Sequence, residues 1–144
     1  GRITLLHWNN NADPREFKHD EFGWGTKFTS LAVETYVGET AILAQAMATR
    51  FQSAYVLAGR YFGNWSVAGR VDVFATREDH TGRRLDLSER GHALIAALNW
   101  RPVRWLRLTA EALRVDSYRG DRIDDGVSPR QIENQFQLAT RIVF

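Results

Sequence analysis

Apolar and polar side chains that alternate over ten or so positions mark a β-strand with one greasy and one wet face, because successive side chains point to opposite sides. Three segments of this chain carry that pattern. At the C-terminus Phe136, Leu138, Thr140, Ile142 and Phe144 share one side, while Gln135, Gln137, Ala139, Arg141 and Val143 share the other. From Trp65 to Thr76 the split is Trp65, Val67, Gly69, Val71, Val73 and Ala75 against Ser66, Ala68, Arg70, Asp72, Phe74 and Thr76. From Trp105 to Val115 it sets Leu106, Leu108, Ala110 and Ala112 against Arg107, Thr109, Glu111 and Leu113.

Weaker segments at Arg2 to Trp8, Glu21 to Val37, Ala41 to Arg50, Ser53 to Phe62 and His92 to Trp100 bring the expected strands to eight. Ala41 to Ala48 is also rich in good helix formers, and its neighbours decide it as strand. Short connections (Gly38 to Thr40, Gly63 to Asn64, Arg101 to Arg104) alternate with long polar ones (Asn9 to Asp20, Arg77 to Arg90, Asp116 to Arg130), with Thr49 to Gln52 breaking the rhythm. Keeping the apolar faces aligned puts Tyr61 opposite Val67 and Trp100 opposite Leu106, as a three-residue turn with a glycine bulge allows. The expectation is an all-β, antiparallel, up-and-down barrel in one domain over residues 1–144, with no internal boundary. A strand begins almost at once, so the chain reads as part of a larger barrel.

Composition narrows the function classes. No cysteine is present, which removes disulfides and thiol chemistry. A formal charge of +2 with scattered basic residues gives no footprint for nucleic acid. Charges interrupt every apolar stretch before a helical membrane span could form.

Period two does not say which face is inside. A soluble lipocalin-like barrel turns its apolar face inward around a ligand; an outer-membrane barrel turns it to lipid. Lipid is favoured by aromatics near strand ends (Trp8, Trp24, Tyr36, Tyr55, Tyr61, Trp65, Trp100, Phe144), where amphipathic rings meet headgroups. It is also favoured by Ala and Gly on the apolar face, by polar-face Gln, Ser and Thr with lysine only at Lys18 and Lys27, and by long loops on one rim.

The run Phe136, Leu138, Thr140, Ile142 and Phe144 resembles the terminal strand by which bacterial outer-membrane barrels are recognised by their assembly machinery. More broadly, GRYFGNWSVAGRVDVF, LNWRPVRWLRLTAEALRVDS and QLATRIVF are similar to the C-terminal half of porins of the phosphate-selective type. That resemblance implies a Gram-negative outer-membrane location, a wall of about sixteen strands, a homotrimer and a basic pore. With so few lysines, such a pore would rely on arginine.

The parity places Arg60, Arg70, Arg107 and Arg141 with Glu34, Asp72 and Glu111 on the lumen side. Arg60 and Arg70 are expected as diagonal neighbours forming a small basic patch, against the plainer reading that these charges brace the wall. The expected function is a porin-like channel for passive diffusion of small polar or anionic solutes, without cofactor, metal or catalysis. The alternatives are a complete eight-stranded barrel with a structural or adhesive role and a soluble ligand-binding barrel. His7, His92, Ser88 and Ser30 sit in no nucleophile motif. Asp79, His80, Asp86 and Glu89, and likewise Asp121, Asp124 and Asp125, match no metal-ligand spacing. Arg77, Arg83, Arg84 and Arg90 are candidates for contact with lipopolysaccharide.

Overall fold

The computed structural model describes residues 1–9, 27–49, 51–76 and 88–142. These residues form one sheet of eight antiparallel strands, each paired with the next in sequence. The strands are β1 (Arg2–Asn9), β2 (Lys27–Val37), β3 (Thr40–Ala48), β4 (Phe51–Phe62), β5 (Trp65–Thr76), β6 (Glu89–Val103), β7 (Leu106–Arg119) and β8 (Arg130–Ile142). β1 and β8 are the two ends of the order and are not paired with each other. Ala41 to Ala48 is strand throughout, because its backbone groups are bonded on both sides by β2 and β4.

The β2–β3, β4–β5 and β6–β7 turns are short and lie at one end of the sheet; at the other end the β3–β4 connection is equally short, as the break in rhythm at Thr49 to Gln52 indicated, and the rest are longer. Gly38 and Gly63 open the β2–β3 and β4–β5 turns with φ of 59° and 57°. That conformation costs glycine nothing and matches the twist of a two-residue hairpin. The β4–β5 turn alters the expected register. Phe62 pairs with Trp65, Tyr61 with Ser66 and Arg60 with Val67, so Tyr61 does not face Val67. A slip of one residue exchanges the two faces of a strand. In β6–β7 an irregularity between Trp100 and Val103 absorbs the extra residue, and Trp100 lies opposite Leu108 on the same face as Leu106. The segment expected as a connection from Asp116 is still strand to Arg119, followed by a short 3₁₀ turn, Gly120–Ile123.

Nothing among the described strands packs as a second layer; contacts run between sequential neighbours. Among the described residues there is correspondingly no packed core. Ala93, at 8% exposure, is the buried hydrophobic residue, and no side chain among the described residues is fully buried. Yet the faces differ. In β5 and β6 exposed residues alternate with sheltered ones, and the exposed set is Trp65, Val67, Gly69, Val71 and Val73 with Leu94, Ala96, Leu98 and Trp100. A flat single layer shelters its faces equally, so consistent shelter on one side means the sheet curves towards it. The concave face carries most of the charged strand residues, set among apolar ones such as Leu43, Leu57, Phe74, Ile95, Leu113 and Val115.

Candidate functional site

Cross-strand partners share a face, so the registers assign every strand residue to one side. The concave face carries Glu34, Gln45, Tyr55, Arg70, Asp72, Glu111, Arg107 and Arg141 in successive strands. Arg60 is on the other face. It pairs with Val67, bonds Glu39 at 3.0 Å and lies over the Phe62 ring at the turn end. The expected Arg60–Arg70 patch therefore does not form, because the two-residue turn moves Arg60 to the convex side.

The remaining concave charges fall into two groups. One is held. Gln45 Nε2 donates to Ser30 Oγ at 2.7 Å, Tyr55 OH donates to Gln45 Oε1 at 2.9 Å, and the Arg70 guanidinium lies 4.0 Å from the Tyr55 ring centre. Arg70 Nε in turn donates to Asp72 at 2.9 Å. This chain crosses four strands, β2 to β5, and fixes their polar side chains against one another. Nearby, Arg2 donates to Glu34 at 2.7 Å, and Tyr36 OH donates to the same carboxylate at 3.3 Å. At the loop end Arg122 reaches Glu89 at 3.0 Å and Ser117 at 3.2 Å, which ties the 3₁₀ turn onto the concave face.

The second group is free. Arg107 and Arg141 are direct cross-strand partners at the turn end of β7 and β8, and both are exposed. Among the described residues neither has a hydrogen bond or ion pair, and neither does Glu111. Like charges directly opposite one another repel. An anion between them, or a neighbouring strand, would relieve that repulsion.

The convex face is an apolar belt with polar margins. On β5 it runs from Trp65 to Ala75, ten residue steps, or about 33 Å along the strand. Its margins run obliquely across the pairing rows. The polar boundary at the loop end is Gln52 in the row of Ala75, His92 in the row of Val73 and Arg114 in the row of Val71 through Leu94. At the turn end, Arg60 is level with Val67, while the apolar residues of β7 and β8 continue to Leu106 and Ile142.

Trp65 and Trp100 stack on this face with centroids 5.3 Å apart. The other aromatics expected at a headgroup level are arranged differently. Trp8, Tyr36, Tyr55 and Tyr61 belong to the concave side, while Trp24 and Phe144 lie outside the described residues. Phe136, Leu138, Thr140 and Ile142 share the convex face of β8.

His7 bonds Thr29 at 3.0 Å on the convex side, His92 is exposed there, and Ser30 belongs to the Gln45 chain. Asp121 is held by Arg119 at 2.7 Å. Among the described residues no three metal-type side chains converge. Asp79, His80, Asp86, Arg77, Arg83 and Arg84 lie outside the described residues. The Ser30–Gln45–Tyr55 chain had no sequence signal, because its members are ordinary wall residues until pairing brings them level.

No family model, no curated protein and no solved structure matches this chain.

Proposed function

We propose that this chain is part of the wall of a porin-like outer-membrane β-barrel that allows passive diffusion of small polar or anionic solutes. The observation that carries the reading is the distribution of the faces: in β5 and β6 the more exposed convex side is largely apolar, over a length that a strand tilted by ~40° would carry across about 25 Å, and the sheltered side holds most of the charged strand residues. A soluble ligand-binding barrel needs the reverse. An exposed strip including Ile3 at 74%, Val71 at 52% and Leu138 at 72% requires a cover, and lipid supplies one. The unpaired edges of β1 and β8 would have to be closed in hydrocarbon, either by pairing with each other or by further strands. The resemblance to phosphate-selective porins supports the second arrangement, with trimers in a Gram-negative outer membrane and assembly through β8.

In this reading the braced group Arg70–Asp72 is wall, and the free pair Arg107 and Arg141 is the lumen charge that favours anions. A complete eight-stranded barrel filled by its own side chains is the second reading, favoured by the bonded chain from Ser30 to Asp72. Conductance across a planar bilayer separates the two. The channel reading expects open-channel current whose reversal potential in a salt gradient moves towards cation preference in Arg107→Gln/Arg141→Gln. A folded, heat-modifiable protein that carries no current would refute conduction and leave the filled barrel. A clean monomer in plain buffer would refute both.

A further inference from the structure

At the loop end of the convex face the apolar belt gives way to a basic cluster. Arg90, Tyr118 and Arg130 form one cross-strand row over β6, β7 and β8; His92, Asp116 and Ile132 form the next, and Leu94, Arg114 and Asn134 the one below. Arg90 lies over the Tyr118 ring, 5.4 Å from its centre. Arg130 is bonded to Asp116 at 2.9 Å but keeps a 65% exposed side chain. Arg114 is exposed and has no hydrogen-bond partner among the described residues. Arg130 holds this carboxylate, His92 lies directly opposite it and Arg114 stands one row below, while Arg90 sits two strands from Arg130 in the row above. With strands about 4.8 Å apart, Arg90 and Arg130 are separated by about 10 Å at the backbone, and flexible side chains can converge from there on one oxyanion.

Directly below the cluster the same strands line a groove of about 570 Å³, bordered chiefly by convex residues and also by Arg70, Ile95, Leu113 and Gln135 of the concave row between them. Its floor is the row Gly69, Ala96 and Ala112, and Leu94 and Phe136 rise beside it, with Arg114 at its upper rim. Small residues in a line between larger ones make a trough that crosses β5 to β7, one row below Arg114.

We infer that the convex face of β6 to β8 holds a specific site for a phosphorylated lipid: the phosphate monoester of its headgroup on Arg90, Arg114 and Arg130, and an acyl chain in the Gly69–Ala96–Ala112 groove. The inference rests on the membrane reading above. It differs from loop contact with a surface glycolipid because it needs one headgroup and one chain in fixed relation. Guanidinium groups bind phosphate oxygens in pairs, and Tyr118 beside Arg90 supplies the amphipathic ring usual at headgroup depth.

The test inserts the chain into vesicles of phosphatidylcholine alone and of phosphatidylcholine with a minor fraction of phosphatidic acid, then counts retained lipid by native mass spectrometry. Wild type should retain phosphatidic acid selectively. Each arginine near a headgroup contributes roughly a fivefold preference, so Arg90→Gln/Arg114→Gln should lower retention by about 25-fold. Asp116→Asn removes the one carboxylate and should raise retention. Ala112→Phe fills the groove without changing charge and should lower it, which a simple surface-potential effect would not do. Insertion without selectivity, or selectivity unaffected by these changes, overturns the site and leaves the membrane reading intact. Equal displacement by inorganic phosphate overturns the lipid assignment. Because the unpaired β1 and β8 edges have to be closed in hydrocarbon, the count is made on the closed barrel, and a clean monomer in plain buffer that does not insert overturns the membrane reading first, and the site with it.

Discussion

Leu98 and Ala97 are neighbours in β6 whose side chains lie on opposite faces, and arginine placed at each should have opposite effects. Leu98 is on the convex side in the row of Val67, Ala110 and Leu138, well inside the apolar belt, and is 44% exposed. Ala97 is on the concave side, directly opposite Glu111, which has no partner among the described residues. If the convex face meets hydrocarbon, Leu98→Arg must bring a guanidinium to near mid-bilayer depth, at about 2–4 kcal/mol for a barrel wall. That is roughly a 30- to 1,000-fold loss in the folding constant. Ala97→Arg gains a cross-strand partner in Glu111, contributing about 0.2–1 kcal/mol. Both variants add the same charge, and Ala97→Arg adds far more volume than Leu98→Arg, so a larger loss at Leu98 cannot come from size and reports the face. Urea titration in phosphatidylcholine vesicles, followed by the fluorescence of the five tryptophans, measures both constants. Equal midpoints, or a Leu98→Arg variant as stable as wild type, would refute the assignment of the convex face to lipid.

Substitutions at three further positions probe the fold itself. Gly91→Ala would put a Cβ 2.5 Å from the Asp116 carbonyl oxygen and 2.7 Å from Phe74, an overlap that should cost about 1–3 kcal/mol in unfolding free energy. Gly63→Ala meets no atom within 4 Å but sits at φ +57°, so its cost of about 1–2 kcal/mol is conformational, and Gly63→Asn should recover part of it. Tyr55→Phe keeps the ring beneath Arg70 but removes the donor to Gln45; a loss of about 1 kcal/mol in the same titration is expected, whereas no loss would mean water replaces the hydroxyl.

The short-range part of this architecture is written in the chain. Alternation between Trp65 and Thr76, and between Phe136 and Ile142, is a property of the pleat itself, so strand identity and the eight-strand count were legible without any tertiary contact. The same parity placed Arg70, Asp72, Arg107, Glu111, Arg141 and Glu34 on one face, because each is read relative to its own strand. Relations between strands were not legible in that way. Arg60 moved to the convex side because one residue in the Gly63–Asn64 turn sets the register of the whole hairpin, and turn length is not encoded in the pattern of either strand. Which charges are braced and which are free, Arg70 on Asp72 against Arg107 facing Arg141, depends on side chains brought level by pairing across strands far apart in sequence. The sequence alone thus determined that each strand has a greasy and a wet side. Only the tertiary structure decided which side is sheltered, because curvature belongs to the sheet as a whole and to no single strand.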